Sequence, residues 1–334
     1  MYSRPTSAPD WIGILEAAYA LDRDDDAWLG GLLEAARTCL DDGMGMVAFV
    51  YDASDHRTLQ VRQMTSAGVS APRLEAYFRV SEELAAIPGF LQRTYRSLLC
   101  GTMSELERVE YDWRQAAIAC GVGDTLAVNG LDPSGNGCLL GVFLHEETTL
   151  PARRRQLLSY IATHLANAHR LRQRMRASGQ TPVGQLASTG QVLEWAGERD
   201  EGLTQALAQA AGAIGSARGP LRFAEGGAAI AGWQGLVQRR FTLVDAPGSA
   251  KRGPRRMLAF ENEPRVPGFP ALAEREREVA AYLLLGHSTK VIAYELGISD
   301  STVRVLLRRV RRKLNVQTRA ELLSALRAAS REPG

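Results

Sequence analysis

Lysine is almost missing from this chain: only 3 of its 40 lysine and arginine residues are lysine, Lys251, Lys290 and Lys313, and the first 250 residues have none. A phosphoacceptor receiver domain keeps a lysine beside its aspartate cluster, and a P-loop needs one on the nucleotide phosphates. Neither fits in the first 250 residues, nor does a Schiff-base lysine. The acidic run Asp24-Asp25-Asp26 therefore reads as a solvated bend between two helical stretches. Cysteine is scarce as well. Cys39, Cys100, Cys120 and Cys138 are scattered through the sequence, with no CxxC pair and no histidines at zinc spacing, which excludes a metal-ligand set and a disulfide scaffold. They read as small buried hydrophobes of a reducing compartment. No run approaches the ~20 uncharged apolar residues of a membrane span, and the opening MYSRPTSAPDWIG lacks the basic and apolar regions of a signal peptide. The expectation is a cytoplasmic protein with no membrane partner.

What is present points to several domains. The chain has 334 residues, 45% of them hydrophobic and 23% charged, which is enough for two or three cores of ordinary size. Residues 11–40 have apolar positions at helical spacing, broken near the aspartate run. MVAFVYD (46–52) and TLQVRQM (58–64) form a β-rich pair around a turn at Asp55, and helical segments follow between Ala71 and Ala119. A second strand pair, 125–131 and 138–144, flanks the turn DPSGNG. Pro151 then opens an amphipathic helix to about Met175. This order predicts an α+β domain over residues 1–176, a sheet covered by helices. It resembles a GAF-type sensor domain, a likeness that implies small-molecule binding and a signal passed through the terminal helix.

SGQTPVGQ (178–185) reads as a linker. Beyond it come a strand at Gln191–Trp195, an alanine-rich helix at Glu201–Ser216, and two strands at 236–246 and 255–262 joined by a Pro/Gly-rich loop. This small α+β stretch, 186–262, resembles a reduced PAS-like module. The three prolines of EPRVPGFP (263–270) mark the next boundary.

Residues 272–327 carry a net charge of +5, leaving −2 for the remainder. Basicity gathered on one short segment suits a polyanionic partner. The segment parses into four helices, at about 274–285, 289–296, 299–314 and from about Thr318, with Gly286 and Gly297 at the breaks. Ser299 or Asp300 stands ready to cap the third. At 100° per residue, Val303, Leu307, Val310 and Leu314 share one stripe of that helix, with Leu306 at its edge. Ser301, Arg304, Val305, Arg308 and Arg312 share the other, flanked by Arg309 and Lys313. One side suits a core, the other phosphates and base edges in a DNA major groove.

Leu272, Arg275, Glu276, Glu278, Val279, Gly286, Lys290, Ile292, Ala293, Leu296, Gly297, Ile298, Ser299, Thr302, Val303, Val310, Lys313, Leu314, Val316, Arg319 and Glu321 together resemble the LuxR-type helix-turn-helix family. The likeness covers about 55 residues, from 271 to 330 at its widest, and implies an all-α four-helix DNA-binding domain of a bacterial transcription regulator. By position it implies that Arg304, Val305 and Arg308 read bases, with Lys290, Ser301, Thr302, Arg309, Arg312 and Lys313 contacting the DNA backbone or supporting docking. It also implies a homodimer through the fourth helix, at Leu322, Leu323 and Leu326. Three positions depart from the family pattern: Ala273 for the usual capping hydroxyl, Val291 for a common glutamate, and Leu306 where many members carry histidine.

Other motifs do not hold. HEETT (145–149) has Thr149 where a zincin needs its second histidine, His164 and His169 are five apart, and the would-be calcium loop from Asp132 has Phe143 at its twelfth position. No catalytic constellation or cofactor motif is present, so the expectation is a non-enzyme without cofactor or metal. Tyr111, Asp112 and Trp113 are adjacent and do not reproduce the Trp/Tyr/Asp cluster of acyl-homoserine-lactone sensors. The sequence expectation is a sequence-specific regulator of double-stranded DNA, controlled by its N-terminal domains through an unidentified small ligand. The alternative is control through a partner protein. An apolar cavity among Tyr77, Phe78, Phe90, Tyr95 and Trp113 would favour the ligand.

Overall fold

The structure is a computed structural model that describes residues 8–55, 58–106, 113–132, 135–223, 229–230, 233, 236–237, 241–248, 255–261, 272–284, 287–296 and 298–329. Two helices open it, α1 (Trp11–Ala18) and α2 (Asp25–Leu40), each begun by an aspartate whose side chain accepts a backbone N–H two or three residues into the first turn: Asp10 from Gly13 and Asp24 from Ala27. The aspartate run is thus a cap rather than a simple bend.

The strands β1 (Met46–Asp52), β2 (Gln60–Ala67), β3 (Cys100–Thr102), β4 (Asp124–Leu131) and β5 (Asn136–Leu144) form one antiparallel sheet in the order β2-β1-β5-β4-β3. β1 is a continuous apolar run because both its faces are covered. Met46, Ala48 and Val50 point into the core shared with α1, α2 and the long helix α6 (Ala152–Ser178), whereas Val47, Phe49 and Tyr51 point into a second core. The other face of the sheet is closed by α3 (Ala71–Ala85), α4 (Phe90–Arg93) and α5 (Trp113–Ala119). α6 lies directly on β4: a Cβ at Gly130 would sit 2.6 Å from the Cβ of Leu165, so only glycine permits this approach. The strand Cys100–Thr102, inside a stretch expected to be helical, is too short for its periodicity to show.

The second sheet repeats the same strand order. β6 (Gly184–Ala187), β7 (Val192–Trp195), β8 (Leu236–Val237), β9 (Phe241–Asp245) and β10 (Arg256–Glu261) are arranged β7-β6-β10-β9-β8, all antiparallel. It is covered by α7 (Glu201–Arg218), which buries Leu203, Leu207, Ala210, Ala211 and Ile214. The sheet therefore has as many strands as the first. The expected linker 178–185 shrinks to a few residues, because α6 extends to Ser178 and β6 starts at Gly184. The proline-rich boundary 263–270 lies outside the described residues.

Four helices close the chain: α8 (Glu274–Leu284), α9 (Thr289–Leu296), α10 (Asp300–Lys313) and α11 (Arg319–Ala329). Their own core holds Leu272, Val279, Leu283, Ile292, Leu296, Val303, Leu307, Val310, Leu322 and Leu326. Gly286 and Gly297, expected at the breaks, lie outside the described residues. Among the described residues no helix is long and apolar enough to cross a membrane, and no group of three His, Cys, Asp or Glu could hold a metal.

Candidate nucleic-acid interface

α10 begins at Ser299, whose backbone is extended (φ −71°, ψ 149°) and whose Oγ accepts the Thr302 N–H at 3.1 Å. It closes one residue past Leu314, where Asn315 takes the left-handed conformation (φ 53°) that asparagine tolerates. Between these ends the two stripes separate. Val303, Leu306, Leu307 and Val310 are buried, and Ser301, Thr302, Arg304, Val305, Arg308, Arg309, Arg312 and Lys313 are exposed. Leu306 thus belongs to the core. Val305 is 44% exposed, an apolar side chain standing among arginines.

The basic face is not uniformly free. Arg304 pairs with Asp300 at 2.7 Å, one helical turn back. Such an exposed i,i+4 pair is worth only about 0.3–0.5 kcal/mol, too little to hold Arg304 against a stronger partner. Arg308, Arg309 and Arg312 have no ion pair among the described residues. Lys290 is exposed at the start of α9.

Lys313, expected to contact the DNA backbone or support docking, has a partner within its own domain. Its Nζ lies 2.6 Å from Oε2 of the buried Glu276, and the same oxygen accepts the Ala273 N–H at 2.9 Å. Burial favours the neutral form of that carboxyl, but the Lys313 ammonium and the Ala273 N–H prevail and hold it below the usual carboxylate range. Lys313 therefore ties α10 to α8. Glu276 also supplies the returning half of a capping box whose hydroxyl half Ala273 lacks.

The three leucines expected at a dimer contact are divided. Leu322 and Leu326 are 1% and 0% exposed and fill the core of their own domain, while Leu323 is only half-buried against it. Their helical spacing signals an internal face. α11 itself is capped reciprocally: Thr318 Oγ1 accepts the Glu321 N–H, and Glu321 Oε2 accepts the Gln317 N–H.

A second set of residues, not singled out by the sequence, joins this domain to the rest. Val291, Tyr294 and Glu295 share one face of α9, turned away from the helices around it. Val291 is 3% exposed and belongs to the core of the two sheets rather than that of its own domain. Tyr294 stacks on Tyr160 of α6, and its hydroxyl donates to the carbonyls of Ile230 (2.7 Å) and Trp233 (2.9 Å). The same oxygen meets His164 Nε2, while His164 Nδ1 lies 3.0 Å from the hydroxyl of Tyr19. Asn167 donates to Tyr19 at 3.0 Å and to Thr242 of β9 at 3.3 Å. All donors are satisfied if His164 is neutral with its proton on Nε2. Burial agrees, pushing its pKa down to about 3. Beside this relay, burial pushes Glu295 up to about 7, partly offset by Arg170 and a hydrogen bond with Thr163. The visible signal was Val291: an apolar residue where the family pattern has a charge.

Residues 270–326 match the family described as bacterial regulatory proteins, luxR family. Over 65 residues the chain is 45% identical to the nitrate/nitrite response regulator protein NarP of Escherichia coli, and over 63 residues 41% identical to the HTH-type transcriptional activator RamA of Corynebacterium glutamicum. These matches take in 20% and 19% of this chain and span 28% and 22% of the two relatives. The C-terminal bundle is thus a LuxR-type helix-turn-helix domain, and the family and both relatives are transcription regulators, not enzymes. Two structures of SdiA also align. One, of the Escherichia coli protein, has 11% identity and a TM-score of 0.27, covering 85% of this chain and 83% of that one. The other, in complex with octanoyl-rac-glycerol, has 14% identity and a TM-score of 0.29, covering 96% and 86%. Likeness this low carries no argument about the remaining residues.

Proposed function

We propose that this LuxR-type domain makes the chain a sequence-specific, DNA-binding transcription regulator that works as a homodimer in the cytoplasm. The observation that carries the reading is the outward face of α10, where Arg304, Val305 and Arg308 stand exposed on a helix held rigidly from behind by four buried aliphatic residues. Arg304 and Arg308 suit guanine edges and Val305 a thymine methyl. Lys290, Ser301, Thr302, Arg309 and Arg312 suit phosphates, adding sequence-independent, salt-sensitive affinity. Pairing through the outer side of α11 around Leu323 would set two recognition helices about 34 Å apart, one turn of duplex.

In this reading residues 1–176 are a GAF-like sensor domain, 186–262 a PAS-like module and 271–330 the output domain. Support comes from the strand order shared by the two sheets, and from α6, which leaves the first sheet and meets α9. Small-ligand control is favoured over a partner protein by an apolar cavity of about 80 Å³ between the first sheet and α3–α5, bordered by Tyr77, Leu84, Phe90, Tyr95 and Phe143. The side chain of Trp113 lies outside the described residues. Ligand pockets usually measure ~300–1,000 Å³, so this one takes a small apolar molecule or widens as those helices move outward.

Selection of random duplexes by the purified chain tests the reading. It predicts enrichment of one sequence built from two symmetric half-sites. Retention of duplexes without any sequence enrichment contradicts it.

A further inference from the structure

The cavity between the first sheet and α3–α5 originates in one cross-strand pair. On the sheet face that looks toward those helices, Thr125 pairs with Phe143 and Asn129 with Leu139, and between them Ala127 pairs with Gly141. A methyl and a hydrogen thus stand where the neighbouring pairs carry larger groups, and the floor drops. Leu84, Phe90 and Tyr95 border the space on the helical side.

Among the described residues that border this space none carries a charge. Several of its polar groups are engaged by neighbours. Thr94 Oγ1 donates to the Phe90 carbonyl at 2.8 Å and Thr102 Oγ1 to the Thr148 carbonyl at 2.8 Å. Asn129 Nδ2 donates to the Leu98 carbonyl at 3.1 Å, and its Oδ1 accepts the Tyr51 hydroxyl at 2.7 Å. The Tyr77 hydroxyl bonds with Ser81. Tyr95 differs from these. It is only 8% exposed, and its hydroxyl meets no donor or acceptor among the described residues. That hydroxyl is nevertheless not sealed against protein, as the Trp233 indole N–H is. Because the ring lies in the interior and borders the cavity, the area its hydroxyl retains opens into that space. Burial pushes the phenol well above its ordinary pKa, so the group keeps its proton and can both donate and accept.

We propose that this cavity takes an uncharged small molecule with a short apolar body and one hydrogen-bonding group, oriented at that end by the Tyr95 hydroxyl. An ionised occupant finds no counter-charge in the wall and loses its hydration without replacement. A wholly apolar occupant leaves the buried Tyr95 hydroxyl without a partner. Size narrows the class further. An apolar cavity of about 150 Å³ takes benzene, so at about 80 Å³ the occupant has roughly three to five non-hydrogen atoms. The assignment rests on residues 1–176 being a small-ligand sensor, and names the ligand's class and the side chain that orients it.

The test titrates the full chain at neutral pH with propan-1-ol, propanoate and propan-1-amine, one carbon skeleton carrying no charge, a negative charge and a positive one. Xenon, which fills apolar cavities without a directed hydrogen bond, serves as the fourth probe. The ring resonances of Tyr95 are assigned by their loss in Tyr95→Phe. The expected result is a saturable shift of those resonances by propan-1-ol and by xenon, with at least tenfold weaker binding of the two charged probes. Tyr95→Phe weakens propan-1-ol by about fivefold and leaves xenon binding, read at the Leu139 methyls, unchanged. The variant unfolds at the same or a higher urea concentration, because the hydroxyl it loses holds nothing in the fold. Entry of xenon without propan-1-ol, or equal binding of propanoate, overturns the ligand class. Equal propan-1-ol binding by Tyr95→Phe overturns the role of Tyr95. Failure of xenon as well overturns the site, and with it the sensor reading of this cavity.

Discussion

Tyr294 and Tyr160 stack with ring centroids 4.2 Å apart and planes 25° from parallel, although one belongs to the helix-turn-helix domain and the other to the helix that leaves the first sheet. The contact is made by the second helix of the domain, so α10 keeps its basic face exposed while the domain is docked. Docking here fixes where the basic face of α10 points rather than covering it.

Tyr294→Phe keeps the stacked ring and removes the hydroxyl shared by His164, Ile230 and Trp233. Leaving buried polar partners unmet costs about 1–3 kcal/mol. Faster hydrogen exchange over 289–296, with unchanged exchange in the first sheet, is the expected outcome.

Val291→Glu restores the residue type common in the family, and places a carboxylate at a position 3% exposed. Because Val291 packs on the core of the two sheets rather than on its own domain, the substitution should release the domain without unfolding it. The check is circular dichroism and exchange together: helix content held, protection over 289–296 lost.

Glu295 predicts a pH dependence. Its carboxyl is pushed up to about 7 by burial, facing Thr163 and Arg170 of α6, with Asp132, at the end of β4, adding to the rise. A raised carboxyl contributes stability fully present below its unfolded pKa near 4.5 and lost as pH rises through about 7. Burial holds His164 and His287 down to about 3. Their contribution is present above the ordinary pKa near 6.5 and lost as pH falls toward 3, opposing Glu295 in the acid range. Above pH 6.5 these histidine contributions no longer change, whereas that of Glu295 still falls. Between pH 6.5 and 8 the native chain should lose roughly 1 kcal/mol relative to Glu295→Gln, as read by urea unfolding of both proteins.

Lys313 and its arginine neighbours should separate in their salt dependence. Arg309→Gln and Arg312→Gln should each lower the slope of log K against log salt by about 0.9, one phosphate contact apiece. Lys313→Gln should leave that slope unchanged and instead destabilise the domain by about 2 kcal/mol, discounted for the partial exposure of Lys313, because it strands the buried Glu276.

Local periodicity made most of the output domain legible. The Ser299 cap, the two faces of α10 and the exposed Val305 follow from spacing along one helix. The strands Cys100–Thr102 and Gly184–Ala187 did not, because three or four residues hold too little of a period-two pattern, and the second was hidden in a linker-like composition. The leucine spacing of α11 gave an apolar face but not its destination, since Leu322 and Leu326 turn inward. The docking contact was least legible: Tyr294 finds Tyr160 and His164 130 residues or more away, a pairing no local pattern encodes. Only Val291 hinted that the helix faces something apolar.

The most direct measurement is fluorescence anisotropy of the full chain on the selected duplex and on a scrambled one, at two salt concentrations, beside Arg304→Ala/Arg308→Ala. If α10 reads sequence through these two arginines, the native chain prefers the selected duplex at both salts, and the double variant binds both duplexes equally, with unchanged helix content. A double variant that keeps the native preference would show that sequence is read elsewhere.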